Sequence, residues 1–181
     1  MTRPGSVPLL ETEFWFLRHG ETTANRDGIV AGTIDAPLTG AGLRQAEAAA
    51  LRLTGAGIAA IWSSPQLRAR ESARIVAERL ALPVVLVPGL GERNWGEWEG
   101  QPRAVLVRGR RPAGGEGPEE FRDRVLAALA AIAPPWPALV VGHSGTFRVL
   151  HAALGFGEAG ETIGNARPVR MSRGGLLIDE D

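Results

Sequence analysis

The sequence predicts a three-layer α/β/α sandwich with a largely parallel central sheet. Three observations carry the expectation. Short β-branched or aromatic runs alternate with longer segments of helical periodicity. Several short runs end in polar turns of similar chemistry. No internal repeat or linker divides the 181 residues, so a single domain over residues 1–181 is expected, with 1–12 an irregular N-terminal segment.

Residues 13–17 are aromatic and apolar and then break at Arg18-His19-Gly20, which reads as a buried strand leaving into a polar loop. Thr39 is placed to cap a helix over 42–54, where Leu43, Ala46, Ala50 and Leu51 form an apolar face. A second strand is expected at 58–62. Ser64 and Pro65 then suit the cap and first position of a helix over 66–80. Residues 84–87 read as a third strand, followed at 88–100 by an irregular stretch rich in Gly, Glu and Trp. A short helical piece is expected at 103–107, a flexible crossing at 109–118 and a helix at 119–132, stopped by Pro134, Pro135 and Pro137. Residues 138–141 resume strand character, and Gly142-His143-Ser144-Gly145 leads into a helix over 146–154. The segments 169–172 and 176–178 are expected as a hairpin or edge strands.

Composition narrows the function. Twenty basic and twenty acidic residues balance, so no bulk field draws the chain onto nucleic acid or an anionic membrane. Cysteine is absent, which removes thiol nucleophiles, disulfides and thiolate zinc sites. No apolar run reaches the ~20 residues of a membrane helix. Pro4, Pro8, Glu11 and Glu13 precede any sustained apolar run, unlike a secretory signal, and a cytoplasmic location is expected. Neither GxGxxG after the first strand nor a Walker GxxxxGK[ST] occurs, so no dinucleotide or P-loop cofactor is expected. Three separated histidines without a matching carboxylate cluster make a weak metal site.

In a parallel sheet, ligands bind beyond the carboxyl ends of the strands. The expected strand ends bring Arg18 and His19, Ser63-Ser64-Pro65 with Arg68, His143, and Glu92 toward one crevice. Two guanidinium forks neutralise phosphate oxygens, and a neutral imidazole held by an acceptor supplies an in-line nucleophile. His19 suits the nucleophile and His143 a donor to phosphate. Each also has a plainer reading: a structural strand-end histidine, an Arg68 solvated beside Arg70 and Arg74, an Arg18 paired with Glu21, a Glu92 among the surface charges Glu97 and Glu99. Arg108, Arg110 and Arg111 read either as a second anion site or as a solvated basic cluster, the latter preferred.

Leu17-Arg18-His19-Gly20-Glu21-Thr22, followed by Asn25 and Gly32, then Ser63-Ser64-Pro65 with Arg68, Glu92, Gly96-Glu97-Trp98-Glu99-Gly100 and Gly142-His143, resembles the histidine phosphatase, or phosphoglycerate mutase-like, superfamily. The run 94–100 is similar to that of its small phosphatase branch, which includes α-ribazole phosphatases. The resemblance spans about residues 13–171. It implies a phosphoglycerate mutase-like fold, His19 as phosphorylated nucleophile, Arg18, Arg68 and His143 as phosphate-pocket residues, Glu92 as proton donor and Asn25 as a further phosphate contact. Ser144 and Gly145 are expected to offer backbone N–H groups to an oxyanion. Gly114-Gly115-Glu116-Gly117 resembles a Gly-Gly-Glu-Ser segment of phosphatase-like members, making Glu116 a candidate substrate contact with a surface loop as its alternative. Two departures mark this chain: Ser144 replaces a common Gly, and Gly117 replaces the Ser.

The expected activity is hydrolysis of small-molecule phosphate esters through a phosphohistidine, without cofactor or metal. The runner-up is a cofactor-primed phosphoglycerate mutase. The middle segment 101–118 is short, broken by Pro102, Pro112 and Pro118, and reads as a poor water-tight lid. A non-catalytic phospholigand-binding protein is the third reading.

Overall fold

The computed structural model describes residues 7–157 and 163–178. Residues 1–6 of the expected irregular N-terminal segment lie outside the described residues, while Pro8–Glu11 forms a 3-10 turn that buries Leu9 and Leu10.

Phe14–Arg18 forms β1, buried at all five positions, because a strand covered on both faces reads as a continuous apolar run. The strands β2 (Ala60–Ser63), β3 (Val84–Leu86) and β4 (Ala138–Gly142) run parallel with it in one sheet. The strands β5 (Pro168–Ser172) and β6 (Gly175–Ile178) are the expected hairpin, with β5 antiparallel to β1. The order is β3-β2-β4-β1-β5-β6.

Side-chain alternation along β1 divides the interior in two. Phe14 and Phe16 join a core with Val140, Val125, Leu129 and Leu150 on one face. Trp15 and Leu17 join Ile61, Ala73, Val76 and Val141 on the other. After the short helix α1 (Thr23–Arg26), the second face is covered by α2 (Gly40–Arg52) and α3 (Leu67–Leu80), and the first by α4 (Pro118–Ala130) and α5 (Ser144–Ala153). The three layers are therefore those expected.

Helix starts depart from expectation for identifiable reasons. Thr39 does cap α2, its Oγ1 accepting from Gly42 N at 3.0 Å, so the helix begins at 40 rather than 42. Ser64 does not cap α3: its Oγ accepts from Gln66 N at 3.3 Å, one residue ahead of the helix, and lies 2.8 Å from His143 Nε2. The first N–H of that helix, Leu67 N, is accepted at 2.8 Å by Asp35 Oδ1, a cap supplied from elsewhere in the chain. Helix α5 starts at Ser144 with His143 as its N-cap residue, which draws Ser144 and Gly145 into the first turn.

The segment expected as a flexible crossing at 109–118 is instead tied down by Arg93, only 4% exposed. Its Nη1 donates to Arg108 O at 2.6 Å, Nη2 to Arg110 O at 2.6 Å and Glu116 O at 2.8 Å, and Nε to Glu116 O at 3.0 Å. The guanidinium lies 4.1 Å from the Trp95 ring centroid, a cation–π contact that completes the clamp.

Close packing also fixes the loop after β1. A Cβ at Gly20 would stand 2.3 Å from Gly42 O, and one at Gly42 would stand 2.0 Å from Glu21 O. The first turn of α2 therefore lies against the His19 loop at a separation only two glycines permit.

Candidate active site

Parallel pairing assembles the site. Arg18 is in register with Gly142, and Ser63 with Val141, so β1, β2 and β4 release His19, Ser64 and His143 at one sheet end. His19 N donates to Gly142 O at 3.0 Å, and Ser64 N to Val141 O at 3.0 Å. The segment before β5 braces the same loop: Ala166 N donates to Arg18 O and Asn165 Nδ2 to His19 O, both at 3.0 Å.

His19 Nδ1 is 2.7 Å from Gly20 O. A carbonyl oxygen only accepts, so Nδ1 carries the hydrogen. Burial, then the nearby charges of Arg68 and Arg18, hold the imidazole well below its ordinary pKa. The ring is therefore neutral at pH 7, with its lone pair on Nε2, the form a nucleophile needs.

Two guanidiniums flank it. Arg18 Nη1 donates to Ile163 O at 2.7 Å, not to Glu21, whose carboxylate accepts from Thr39 Oγ1 at 2.7 Å. Burial, then the charge of Arg103, lowers Arg18 to about 10, so it stays charged at pH 7. Arg68 is 2% exposed. It donates to Gly32 O at 2.8 Å, Ile34 O at 2.9 Å and Gln66 Oε1 at 3.2 Å, which rules out the solvated-helix reading.

Glu92 accepts from Arg93 N at 2.8 Å through Oε1, and from Gly145 N at 3.2 Å and Ser144 Oγ at 3.4 Å through Oε2. Its own N–H donates to Gln66 Oε1 at 2.9 Å. Gln66 thus joins Arg68 to Glu92, a connection that no local pattern in the sequence announces.

Of the expected residues, Arg18, His19, Asn25, Arg68, Glu92 and Ser144 line one cleft of ≈ 570 Å³, part of it open to solvent. His143 is wholly buried beside the cleft, with its ring centroid 5.3 Å from that of His19. Asn25 reaches the cleft as part of a capping box: its Oδ1 accepts from Thr22 N and its N–H donates to Thr22 Oγ1, both at 3.1 Å.

Two expected contacts are placed otherwise. Gly145 N is engaged by Glu92, so that N–H supports the carboxylate rather than pointing unpaired at an oxyanion. Glu116 is held away from the cleft, because Arg124 Nε and Nη2 grip its two oxygens at 2.6 and 2.7 Å and Asn94 N adds a third bond at 2.9 Å. The cleft also contains Arg103, Arg108 and Arg148. Arg148 follows Ser144 by four residues on α5 and so shares its face, a signal available once the helix start is known.

His143 resembles His19 electrostatically: burial, then the charge of Arg68, keeps it well below its ordinary pKa. Both rings are neutral in the folded protein but protonate near pH 6.5 when unfolded. Their contribution to stability is therefore present above pH 6.5 and is lost as pH falls toward the folded values. Each histidine is expected to cost about 1.4 kcal/mol per pH unit in that window. Urea titrations at pH 7.5 and 5.5 test this, and stability that does not change between them would contradict it. The His143→Gln chain should show the shallower dependence.

Among the described residues no cluster of three or more His, Asp or Glu side chains could hold a metal ion. No helix among them is long and apolar enough to cross a membrane.

Comparison with known proteins places these features in a group. The family profile described as Histidine phosphatase superfamily (branch 1) matches residues 14–166. The Adenosylcobalamin/alpha-ribazole phosphatase of Escherichia coli (strain K12) is 33% identical over 157 residues, covering 77% of this chain and 77% of that protein. The Metal-independent phosphoserine phosphatase of Arabidopsis thaliana is 33% identical over 163 residues, covering 79% of this chain and 68% of that protein. The structure of mycobacterial glucosyl-3-phosphoglycerate phosphatase superposes with a TM-score of 0.79 at 29% identity, covering 88% of this chain and 90% of the other.

Proposed function

The chain belongs to the histidine phosphatase superfamily, and from that premise we propose that it is a phosphomonoesterase working through a phosphohistidine on His19. His19 Nε2 attacks phosphorus as the ester P–O bond breaks, and Glu92 gives its proton to the departing oxygen. Glu92, now a carboxylate, takes a proton from water, whose oxygen displaces His19 Nε2 from phosphorus. Inorganic phosphate leaves and the neutral imidazole returns. Arg18 and Arg68 offset the charge spread over the equatorial oxygens, and the neutral His143 ring donates a hydrogen bond to one of them.

The observation that carries this reading is the 2.7 Å contact of His19 Nδ1 with Gly20 O, which assigns the ring hydrogen to Nδ1 and leaves Nε2 of this cleft-lining residue as the nucleophilic nitrogen. A second supports it. Arg18 Nε and His143 Nδ1 are buried without a hydrogen-bond partner, and phosphate oxygens would satisfy both. If Ser64 Oγ–H donates to His143 Nε2, Nδ1 of that ring carries the hydrogen such an oxygen requires. The cleft opens to solvent, which favours water as the second acceptor over a retained intermediate.

The test is to mix the protein with radiolabelled phosphomonoesters and quench in alkali, while following inorganic phosphate and isomer formation. Base-stable, acid-labile label on His19 with phosphate release is expected. Isomerisation of phosphoglycerate much faster than phosphate release would favour a mutase. Tight ester binding with neither label nor release would favour a binding protein.

A further inference from the structure

Glu92 sits on a stretch of chain without regular structure of its own. Residues 91–95 follow the 3-10 turn Pro88–Leu90 and belong to no helix or strand, so no main-chain ladder fixes the backbone from which the carboxyl projects. A group that passes a proton must stand within hydrogen-bond reach of the departing oxygen, and a misplacement of about 1 Å can cost about 100-fold in rate. The order has to come from outside the stretch.

Arg124, half-buried on α4, supplies it. Its Nη1 donates to Gly89 O at 2.9 Å and Gly91 O at 3.1 Å, and its Nη2 to Glu92 O at 3.3 Å. Its Nε and Nη2 hold the two oxygens of Glu116 at 2.6 and 2.7 Å, a bidentate pair that fixes the plane of the fork. All five donors of the guanidinium are thus engaged within the protein. Glu116 extends the grip: its Oε2 accepts from Asn94 N and its own N–H donates to Asn94 O, both at 2.9 Å. The chain is held ahead of Glu92 by Arg124 and beyond it by Glu116.

Packing seats the same stretch on the same helix face, where Phe121, Arg124 and Ala128 follow one another at helical spacing. A Cβ at Gly89 would stand 2.7 Å from Ala128 Cβ, and one at Gly145 would stand 2.8 Å from Phe121 Cζ. Gly145 is the residue whose N–H donates to Glu92 Oε2. One face of α4 therefore supports both the backbone of Glu92 and the turn that meets its carboxylate. Neither Arg124 nor Glu116 is among the residues that line the cleft.

We propose that Arg124, oriented by Glu116, is the positioning residue for Glu92, holding its backbone where the carboxyl reaches the leaving oxygen of the ester. This rests on the phosphatase reading above and deepens it. A residue acting in this way serves the proton-transfer steps, so its loss falls on the rate of transfer in proportion to the leaving group's need for a proton, and not on KM.

Single-turnover rates on two esters test the proposal: glycerol 3-phosphate, whose alkoxide needs a proton to leave, and 4-nitrophenyl phosphate, whose nitrophenolate does not. Arg124→Ala is expected to slow transfer from the alkyl ester by about 10–100-fold, with half-saturation unchanged within about twofold, and transfer from the nitrophenyl ester by less than about threefold. Guanidinium ion, at concentrations that leave the circular dichroism spectrum unchanged, should restore part of the lost rate, and tetramethylammonium at the same concentration should not. Glu116→Gln, which keeps the shape and loses the charge, should show the same contrast between esters to a smaller degree, and it serves where Arg124→Ala does not fold. Arg122→Ala, on an exposed residue paired with Asp123, should alter neither rate. In the Glu92→Ala chain, adding Arg124→Ala should cost no more than about twofold; a full additional loss there means that Arg124 acts on another group and overturns the proposal. Equal losses on both esters in a folded Arg124→Ala chain, a loss confined to half-saturation, or no loss at all also overturns it. Glu92→Ala alone separates the two readings. A contrast between esters in that chain but not in Arg124→Ala removes the positioning role and keeps the proton donor, whereas equal losses in Glu92→Ala remove the proton donor and the positioning role with it.

Discussion

Replacing His19 with alanine is expected to lower kcat for phosphomonoester hydrolysis by about 10⁴–10⁶-fold, as loss of a covalent nucleophile does. Phosphate taken up by the protein after rapid mixing and alkaline quench should vanish with it. The size of the effect follows from the chemistry: Arg18, Arg68 and the other donors stabilise charge but cannot form the intermediate, so the two easier steps revert to one difficult displacement by water. His19 is 4% exposed, and its removal leaves space between Gly20 and the cleft. The variant must therefore be shown folded, by an unchanged circular dichroism spectrum and retained affinity for inorganic phosphate. His19→Asn, which keeps a side-chain amide near Gly20 O, serves where the alanine chain does not fold. A folded variant that still hydrolyses esters within about tenfold of the parent rate would remove the covalent mechanism.

The parts of this site that were legible in the sequence are those carried by strand exits. A parallel strand ends at the same edge as its neighbours, so Arg18-His19, Ser63-Ser64 and Gly142-His143 announce a common location before any distance is known. Helix α3 shows the limit of local reading. Ser64-Pro65 is a good cap signal, yet Ser64 Oγ is engaged by His143 and the cap arrives from Asp35. That contact joins residues 32 positions apart and has no local pattern. The same holds for Gln66 between Arg68 and Glu92, and for Asn165 bracing His19 O.

The segment around Glu116 shows composition misleading in the opposite direction. Glycines and prolines at 109–118 read as mobility, but the backbone carbonyls of such a segment still need donors. From a buried position Arg93 supplies three hydrogen bonds to two of them, Arg110 O and Glu116 O, and a fourth to Arg108 O just ahead of the segment. Glu116 is then consumed by Arg124, within a partly exposed ion pair at 2.6 Å, and contributes to loop order instead of substrate contact. A charged residue next to a motif-like glycine pair gave no indication that its partner was another part of the same scaffold.

Glu92→Gln is expected to lower kcat by about 10²–10⁴-fold on alkyl phosphates, the range for loss of a general acid. On 4-nitrophenyl phosphate the first step should change much less, because nitrophenolate leaves without a proton. The second step still lacks its base, so a rapid release of nitrophenolate equal to the protein concentration should precede slow steady turnover. Glu92 is assigned this role because it is the carboxylate among the cleft-lining residues, while Glu97, Glu99 and Glu116 are engaged with Ala113 N, Thr33 and Arg124. The substitution has one structural cost. Arg93 N, Gly145 N and Ser144 Oγ all donate to the carboxylate, so the amide NH2 must face at least one donor. Glu92→Ala avoids that conflict and should show the same dependence on the leaving group. Equal losses on alkyl and nitrophenyl esters in both variants, with no rapid phase, would mean that Glu92 positions Ser144 and Gly145 and transfers no proton.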